Sequence, residues 1–137
     1  MYRIESNDPS IYMRDLGVTP EPALIFFSLH WGDREIPVCT RIKSRSFGGN
    51  EDGQIVYETD WIIESIGKPD YAAGARCEPY QFTSQEERIC AVGLAVKGLQ
   101  VYGGRFNRPE WNSFPVARRI SVTVSDELKY AIYRETN

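Results

Sequence analysis

The stretch that most constrains this chain runs from Thr83 to Gly104, TSQEERICAVGLAVKGLQVYGG. It is the longest segment with a helical apolar period, and strand-like segments flank it. Thr83 or Ser84 can cap its start, and Glu86 and Glu87 fall in the first turn, where carboxylates meet the positive end of the helix dipole. Gly103-Gly104 can end it in the left-handed conformation. Ile89, Val92, Val96 and Leu99 recur at three- and four-residue steps and make a branched stripe. Ala91, Leu94, Ala95, Gly98 and Tyr102 make a second stripe of smaller residues, leaving Glu86, Cys90, Gly93, Lys97 and Gln100 for a narrow exposed line. A helix apolar on two sides is covered on two sides. The branched stripe suits a sheet, and the Ala/Gly stripe suits a backbone that comes close. The competing reading is a hairpin turning at Lys97-Gly98, because each interior glycine costs a helix ~1 kcal/mol. The capping and the doubled period favour a helix over 84–102.

Around that helix, 137 residues suffice for one domain with a sizeable core, spanning 1–137. No apolar run approaches the roughly 20 residues that span a bilayer. The opening, MYRIESNDPSIYMRD, lacks the charged start and apolar run of a signal peptide, so the expected location is the cytoplasm, away from membranes. Cys39, Cys77 and Cys90 are odd in number and have no CxxC spacing, which reads as neither a disulfide framework nor a zinc site. A net charge of −3 argues against general nucleic-acid binding, which needs a basic footprint. It is compatible with an acidic protein that meets a basic protein partner.

In chain order, Tyr2 to Ser6 reads as a short strand. Asn7 to Pro22 reads as a loop with one turn of helix at Ile11 to Leu16. ALIFFSLHW and REIPVCTRI flank Gly32-Asp33, a two-residue hairpin turn. That turn sets Leu29 opposite Ile36, Phe27 opposite Val38 and Ile25 opposite Thr40 on the core face. His30 opposite Glu35 and Phe26 opposite Cys39 take the other face. From Ser46 to Gly67 there are five acids and no base. If Gln54 onward returns as a third strand, one register pairs Lys43 with Glu58 and Arg41 with Asp60. It also turns Ile55, Tyr57, Trp61 and Ile63 to the core. Pro37, lacking an N–H toward that strand, should break the pairing near Glu64. Asp60 to Gly67 is alternatively a short helix, and both readings stay open. Lys68 to Phe82 and Arg105 to Pro115 read as loops and Val116 to Val124 as a strand. Leu128 to Arg134 is its expected hairpin partner, with a C-terminal helix capped by Ser125 as the rival. The resulting fold class is α+β, a mostly antiparallel five- to six-stranded sheet packed against one long helix, residues 84–102.

His30 is the one histidine and the first candidate for a base near neutral pH, with Cys39 an imaginable nucleophile beside it. In the hairpin register the two share a face but are not opposite, so a surface histidine beside Glu35 is the simpler account. Asn50, Glu51 and Asp52 beside glycines lack the ligand spacing of a calcium loop, and no GxxxxGK[ST] or GxGxxG is present, so neither metal nor cofactor is expected. Glu58, Asp60 and Glu64 recur at even spacing and would share one strand face, where a carboxylate pair could serve glycoside chemistry. Their simpler role is ion pairing with Arg41 and Lys43. The stretch most like a binding site is RFNRPEWNSFP. Its Arg105, Phe106, Arg108, Trp111 and Phe114 are of the types that dominate binding hot spots, or form a lid over the core. Tyr71, Tyr80 and Phe82 repeat the signal more weakly at the other end of a helix ~30 Å long, so the two loops should not share a pocket.

The expected function is therefore a small protein-binding module, inhibitor- or immunity-protein-like. It would hold a protein partner through Glu58 and Asp60 on an acidic face and through the 105–115 loop, and a homodimer stays open. The alternative is a small hydrolase or ligand-binding enzyme using Glu58, Asp60, Glu64 or His30.

Overall fold

The Gly32-Asp33 turn organises the sheet. Gly32 adopts φ 65°, which glycine reaches without steric cost, and the flanking strands pair in the register that the turn dictates. The computed structural model describes residues 2–4, 8–18, 23–49, 55–70, 76–103 and 117–133. In chain order these form β1 (Tyr2–Arg3), β2 (Tyr12–Val18), β3 (Ile25–Trp31), β4 (Arg34–Gly49), β5 (Ile55–Asp70), β6 (Arg76–Pro79), α1 (Gln85–Tyr102), β7 (Ala117–Val124) and α2 (Asp126–Tyr133). The strands make one mixed sheet in the order β1-β2-β3-β4-β5-β6, with β7 also paired to β5. All neighbours are antiparallel except β5 and β7, which run parallel from Val56↔Ala117 to Ile63↔Val124.

The α+β class stands, but the expected arrangement needs three corrections. First, the sheet is mixed. α1 lies between β5 and β7 in the chain and supplies the crossover that parallel strands need, where a hairpin would have given an antiparallel edge. Second, there are two helices among the described residues. Asp126–Tyr133 is helical because Ser125 caps it: Leu128 N–H donates to Ser125 Oγ at 3.2 Å, and Lys129 N–H to the Ser125 carbonyl at 2.9 Å. The Ser125 hydroxyl donates in turn to the Glu64 carbonyl at 2.8 Å, which fixes the cap to β5. Third, two segments read as loops hold strands. Tyr12–Val18 is a strand and not a helical turn, and Arg76–Pro79 pairs with Gly67–Asp70.

The third strand of the hairpin is β5, and Asp60 to Gly67 belongs to it as strand. Its register differs from the expected one. Ser44 faces Asp60 and Ser46 faces Glu58, while Arg41 faces Ile62. Strand β5 is set two to three residues further along β4 than expected, and two one-residue bulges step the register within the ladder. Lys43 is the extra residue on β4 between Ile42 and Ser44, and Glu64 is the extra residue on β5 between Ile63 and Ser65. The shift at Glu64 falls where Pro37 was expected to disturb pairing, and the ladder ends at Val38↔Ile66, next to Pro37. Trp61 and Ile63 still reach the core, at 1% and 0% exposure.

α1 starts and ends for local reasons. Ser84 Oγ accepts from Glu87 N–H at 3.1 Å, and Thr83 Oγ1 donates to Glu87 Oε2 at 2.7 Å. At the other end Gly103 is right-handed, φ −57°, and its N–H donates to the Leu99 carbonyl. Its glycine identity is set by space: a Cβ there would lie 2.5 Å from Trp61 Nε1. The face that meets the sheet also differs from expectation. The small-residue stripe, Ala91, Ala95, Gly98 and Tyr102, is buried with Val92 and Leu99, whereas Ile89 is 43% exposed. The cause is close approach, since a Cβ on Gly98 would stand 2.9 Å from Met13 Cε on β2. The line Glu86, Cys90, Gly93, Lys97 and Gln100 is exposed as expected.

Both helices pack on one side of the sheet, in a single core with Met13, Phe27, Leu29, Ile36, Val38 and Trp61. The Gln85 side-chain amide donates to the Ala131 and Ile132 carbonyls, and Arg88 Nη1 to that of Ala131 at 3.3 Å. The first turn of α1 thus caps the last turn of α2. Among the described residues no helix is long and apolar enough to cross a membrane.

Candidate functional site

The side of the sheet opposite the helices carries the chain's polar groupings. Strand alternation puts Tyr12 and Arg14 of β2, Ser28 and His30 of β3, and Glu35 of β4 on that side, with Tyr12, His30 and Glu35 in one cross-strand row. The Tyr12 and His30 rings stack at 4.4 Å and 12°. Ser28 Oγ donates to Glu35 Oε1 at 2.8 Å and lies 3.0 Å from His30 Nε2. Arg14 Nη2 donates to the same carboxylate oxygen at 3.3 Å. The Ser28 hydrogen bond holds the Glu35 carboxyl below the usual carboxylate range; burial opposes it, and the charges of His30 and Arg14 add to it.

This cluster has the elements of a nucleophilic triad but the wrong directions. The one Ser28 hydroxyl proton goes to Glu35, which leaves Ser28 to accept from His30 Nε2–H. Activation of a serine requires the histidine to accept that proton, with the acid on its other nitrogen. Ser28 is also fully buried, at 0% exposure, and out of a substrate's reach. Cys39 is no nucleophile for His30 either. It faces Phe26, four residues along β4 from Glu35, and strand rise separates the two pairs by roughly 13 Å.

A pH effect follows. A depressed carboxyl contributes stability that is present above its unfolded value and is lost as pH falls through its folded one. Glu35 is half exposed, so the effect is below about 1 kcal/mol. Glu35→Gln, whose amide oxygen can still accept from Ser28, is expected to lower the urea midpoint at pH 7. By pH 3 the difference from wild type should vanish. A difference that persists unchanged at pH 3 would mean the charge is not responsible.

The three strand carboxylates share the polar side of β5 but not a site. Glu64 Oε1 accepts from Arg41 Nε at 2.7 Å, Asp60 Oδ2 from Ser44 Oγ at 2.6 Å, and Glu58 Oε1 lies 3.5 Å from Arg119 Nη1 on β7. Each acid has its own partner, and the pairings of Arg41 with Asp60 and Lys43 with Glu58 are replaced because β5 sits in a different register on β4. Among the described residues no three His, Cys, Asp or Glu side chains converge as metal ligands.

A groove that the sequence reading did not anticipate lies between the start of β3 and the outer half of β4. Its volume is about 490 Å³, and it is lined by Val18, Ala23, Ile25, Arg41, Ile42, Ser44 and Arg45. Neither His30 nor any of the three carboxylates lines it. A length signal was available. The apolar run that became β3 begins opposite Thr40, so everything after Thr40 on β4 outruns it.

No known protein family, curated protein or solved structure matches this chain. The groove and the polar face therefore have to be read from their own chemistry. Arg105, Phe106, Arg108, Trp111 and Phe114 lie outside the described residues, as do Tyr71 and Asn50, Glu51 and Asp52. Tyr80 and Phe82 are described. Their rings meet edge to face at 4.8 Å and pack against the core, with the Arg88 guanidinium 5.9 Å from the Phe82 ring. They act as cover for the start of α1.

Proposed function

We propose that this chain is a small protein-binding module of the inhibitor or immunity-protein kind. One observation carries the reading. Both described helices occupy one side of the sheet, and the other side presents charged side chains already held in place by Arg14–Glu35, Arg41–Glu64, Ser44–Asp60 and Arg119–Glu58 contacts. Charged side chains already held in place lose little freedom on association, and they set orientation and encounter rate. In this reading Glu58 and Asp60 meet the partner from the sheet. Arg105, Phe106, Arg108, Trp111 and Phe114 supply aromatic and arginine anchors. The Ser28 hydroxyl donates to Glu35, which does not support the Ser–His form of the hydrolase alternative.

The test is affinity capture from the native host, with the captured protein then titrated in purified form against three chains. Wild type is expected to bind. Glu58→Lys/Asp60→Lys and Arg108→Ala/Trp111→Ala should each weaken binding at least tenfold, roughly 1.4 kcal/mol, with circular dichroism unchanged. A partner held equally by all three chains would overturn the proposed surface. Turnover of a glycoside or ester substrate that Glu58→Gln or His30→Ala abolishes would overturn the binding reading itself.

A further inference from the structure

Strand β4 outruns its neighbour. On one side its residues Ser44 to Gly49 pair with β5, from Ser44↔Asp60 to Gly49↔Ile55. On the other side its ladder with β3 stops at Thr40↔Ile25, and among the described residues no strand pairs with β4 beyond that point. Among the described residues, a run of backbone N–H and C=O groups is thus left along this edge, the arrangement to which another extended chain adds. The groove lies at the step where β3 stops. Val18, Ile25 and Ile42 give it apolar walls, and Val18 is 49% exposed.

The charges select the guest. Arg41 is committed to Glu64. Lys43 and Arg45 are exposed and have no acidic partner among the described residues, although the chain as a whole carries net charge −3. Lys43 is the extra residue of the bulge, which sets it at the entry to the regular stretch from Ser44 onward. A bulge and a lysine are also how proteins keep an edge from pairing indiscriminately. Here they discriminate by charge, since a basic or neutral strand gains nothing at Lys43 and Arg45.

Resting on the binding reading above, we propose that the Ser44–Gly49 edge of β4 receives an extended acidic segment of the partner protein as an added strand. One apolar side chain of that segment fills the Val18/Ile25/Ile42 groove, and its carboxylates meet Lys43 and Arg45. Main-chain hydrogen bonds supply affinity in this mode, and the groove and the cations supply selection.

Synthetic ten-residue peptides with alternating glutamate and valine are the probe, compared with the lysine/valine counterpart and with polyglutamate. Binding is read by fluorescence anisotropy, and the site by amide hydrogen exchange. The glutamate/valine peptide is expected to bind and to slow exchange at residues 44–49. Lys43→Glu/Arg45→Glu should weaken it at least tenfold, and Val18→Ser should weaken it severalfold. Three results would each overturn the inference: equal binding of the lysine/valine peptide, equal binding of polyglutamate, or protection confined to other strands. Failure here is separable from failure of the binding reading. A natural partner lost on Glu58→Lys/Asp60→Lys but retained by Lys43→Glu/Arg45→Glu keeps that reading and removes the added strand.

Discussion

Replacing Trp61 by alanine is expected to cost about 3–5 kcal/mol, the range for truncating a large aromatic in a packed core. Trp61 is the largest fully buried side chain among the described residues, and its ring meets Phe27 edge to face at 5.8 Å and 62°. Gly103 stands so close that a single added methyl would strike the indole. The site is therefore closed around this one ring, and neighbouring groups have little room to collapse into the space it leaves. A loss of that size is a large share of the 5–15 kcal/mol that holds a typical domain. Thermal unfolding should move down by roughly 10 °C or more. A change under about 1 kcal/mol, measured by urea denaturation, would show that the indole is not packed where β5 and the end of α1 place it.

The second large effect is at Met13. It is fully buried on β2, and its Sδ and Cε occupy the space over Gly98. Met13→Ala should cost about 2–5 kcal/mol. Gly98→Ala alone should be near neutral, because the gain of ~1 kcal/mol in helix propensity is offset by pushing aside the end of a flexible side chain. In the Met13→Ala background the same change loses that opposition, gains the propensity and fills part of the cavity. The two substitutions should therefore couple by 0.5 kcal/mol or more, roughly the scale seen for residues in contact. Additive urea midpoints would contradict the packing of α1 on β2.

How much of this was legible can be judged strand by strand. The β3–β4 hairpin was fully readable, because Gly32-Asp33 fixes the register and the alternation of Phe27, Leu29, Ile36 and Val38 confirms it. β5 was readable only as one of two options, since a helix over Asp60 to Gly67 stayed open; as a strand it faced the right way at Trp61 and Ile63. Its register was not readable, because the long connection from β4 fixes no pairing as a two-residue turn does, and one-residue bulges leave no mark on composition. β2 was hidden because its inward positions after Met13 fall on Asp15, whose carboxylate accepts from Tyr102, and, past an irregularity at Leu16, on Val18, which is half exposed. The helix was found but turned wrongly. Branched residues were assigned to the sheet, whereas the small ones are what close approach to Met13 requires. On the outer face His30 beside Glu35 was assigned from the hairpin register, whereas the partners of Glu58, Asp60 and Glu64 follow from the β4–β5 register and were not. The groove follows from the unequal lengths of β3 and β4, which the hairpin register already contained.

The parallel pairing of β5 with β7 also has a consequence in time. Glu58 and Arg119, register partners across that ladder, are 61 residues apart in the chain. A ribosome adding about 5–20 residues per second needs several seconds to travel that distance. Throughout that interval β5 can be zipped to β4 on one side while its other edge stays open. Closing a loop of this length before any contact rewards it makes such pairings slow. The nascent chain thus passes through a stage in which its hairpin half is complete and Trp61 has no roof. It is at this stage, rather than as a finished fold, that a chaperone or a second nascent chain would find it most receptive.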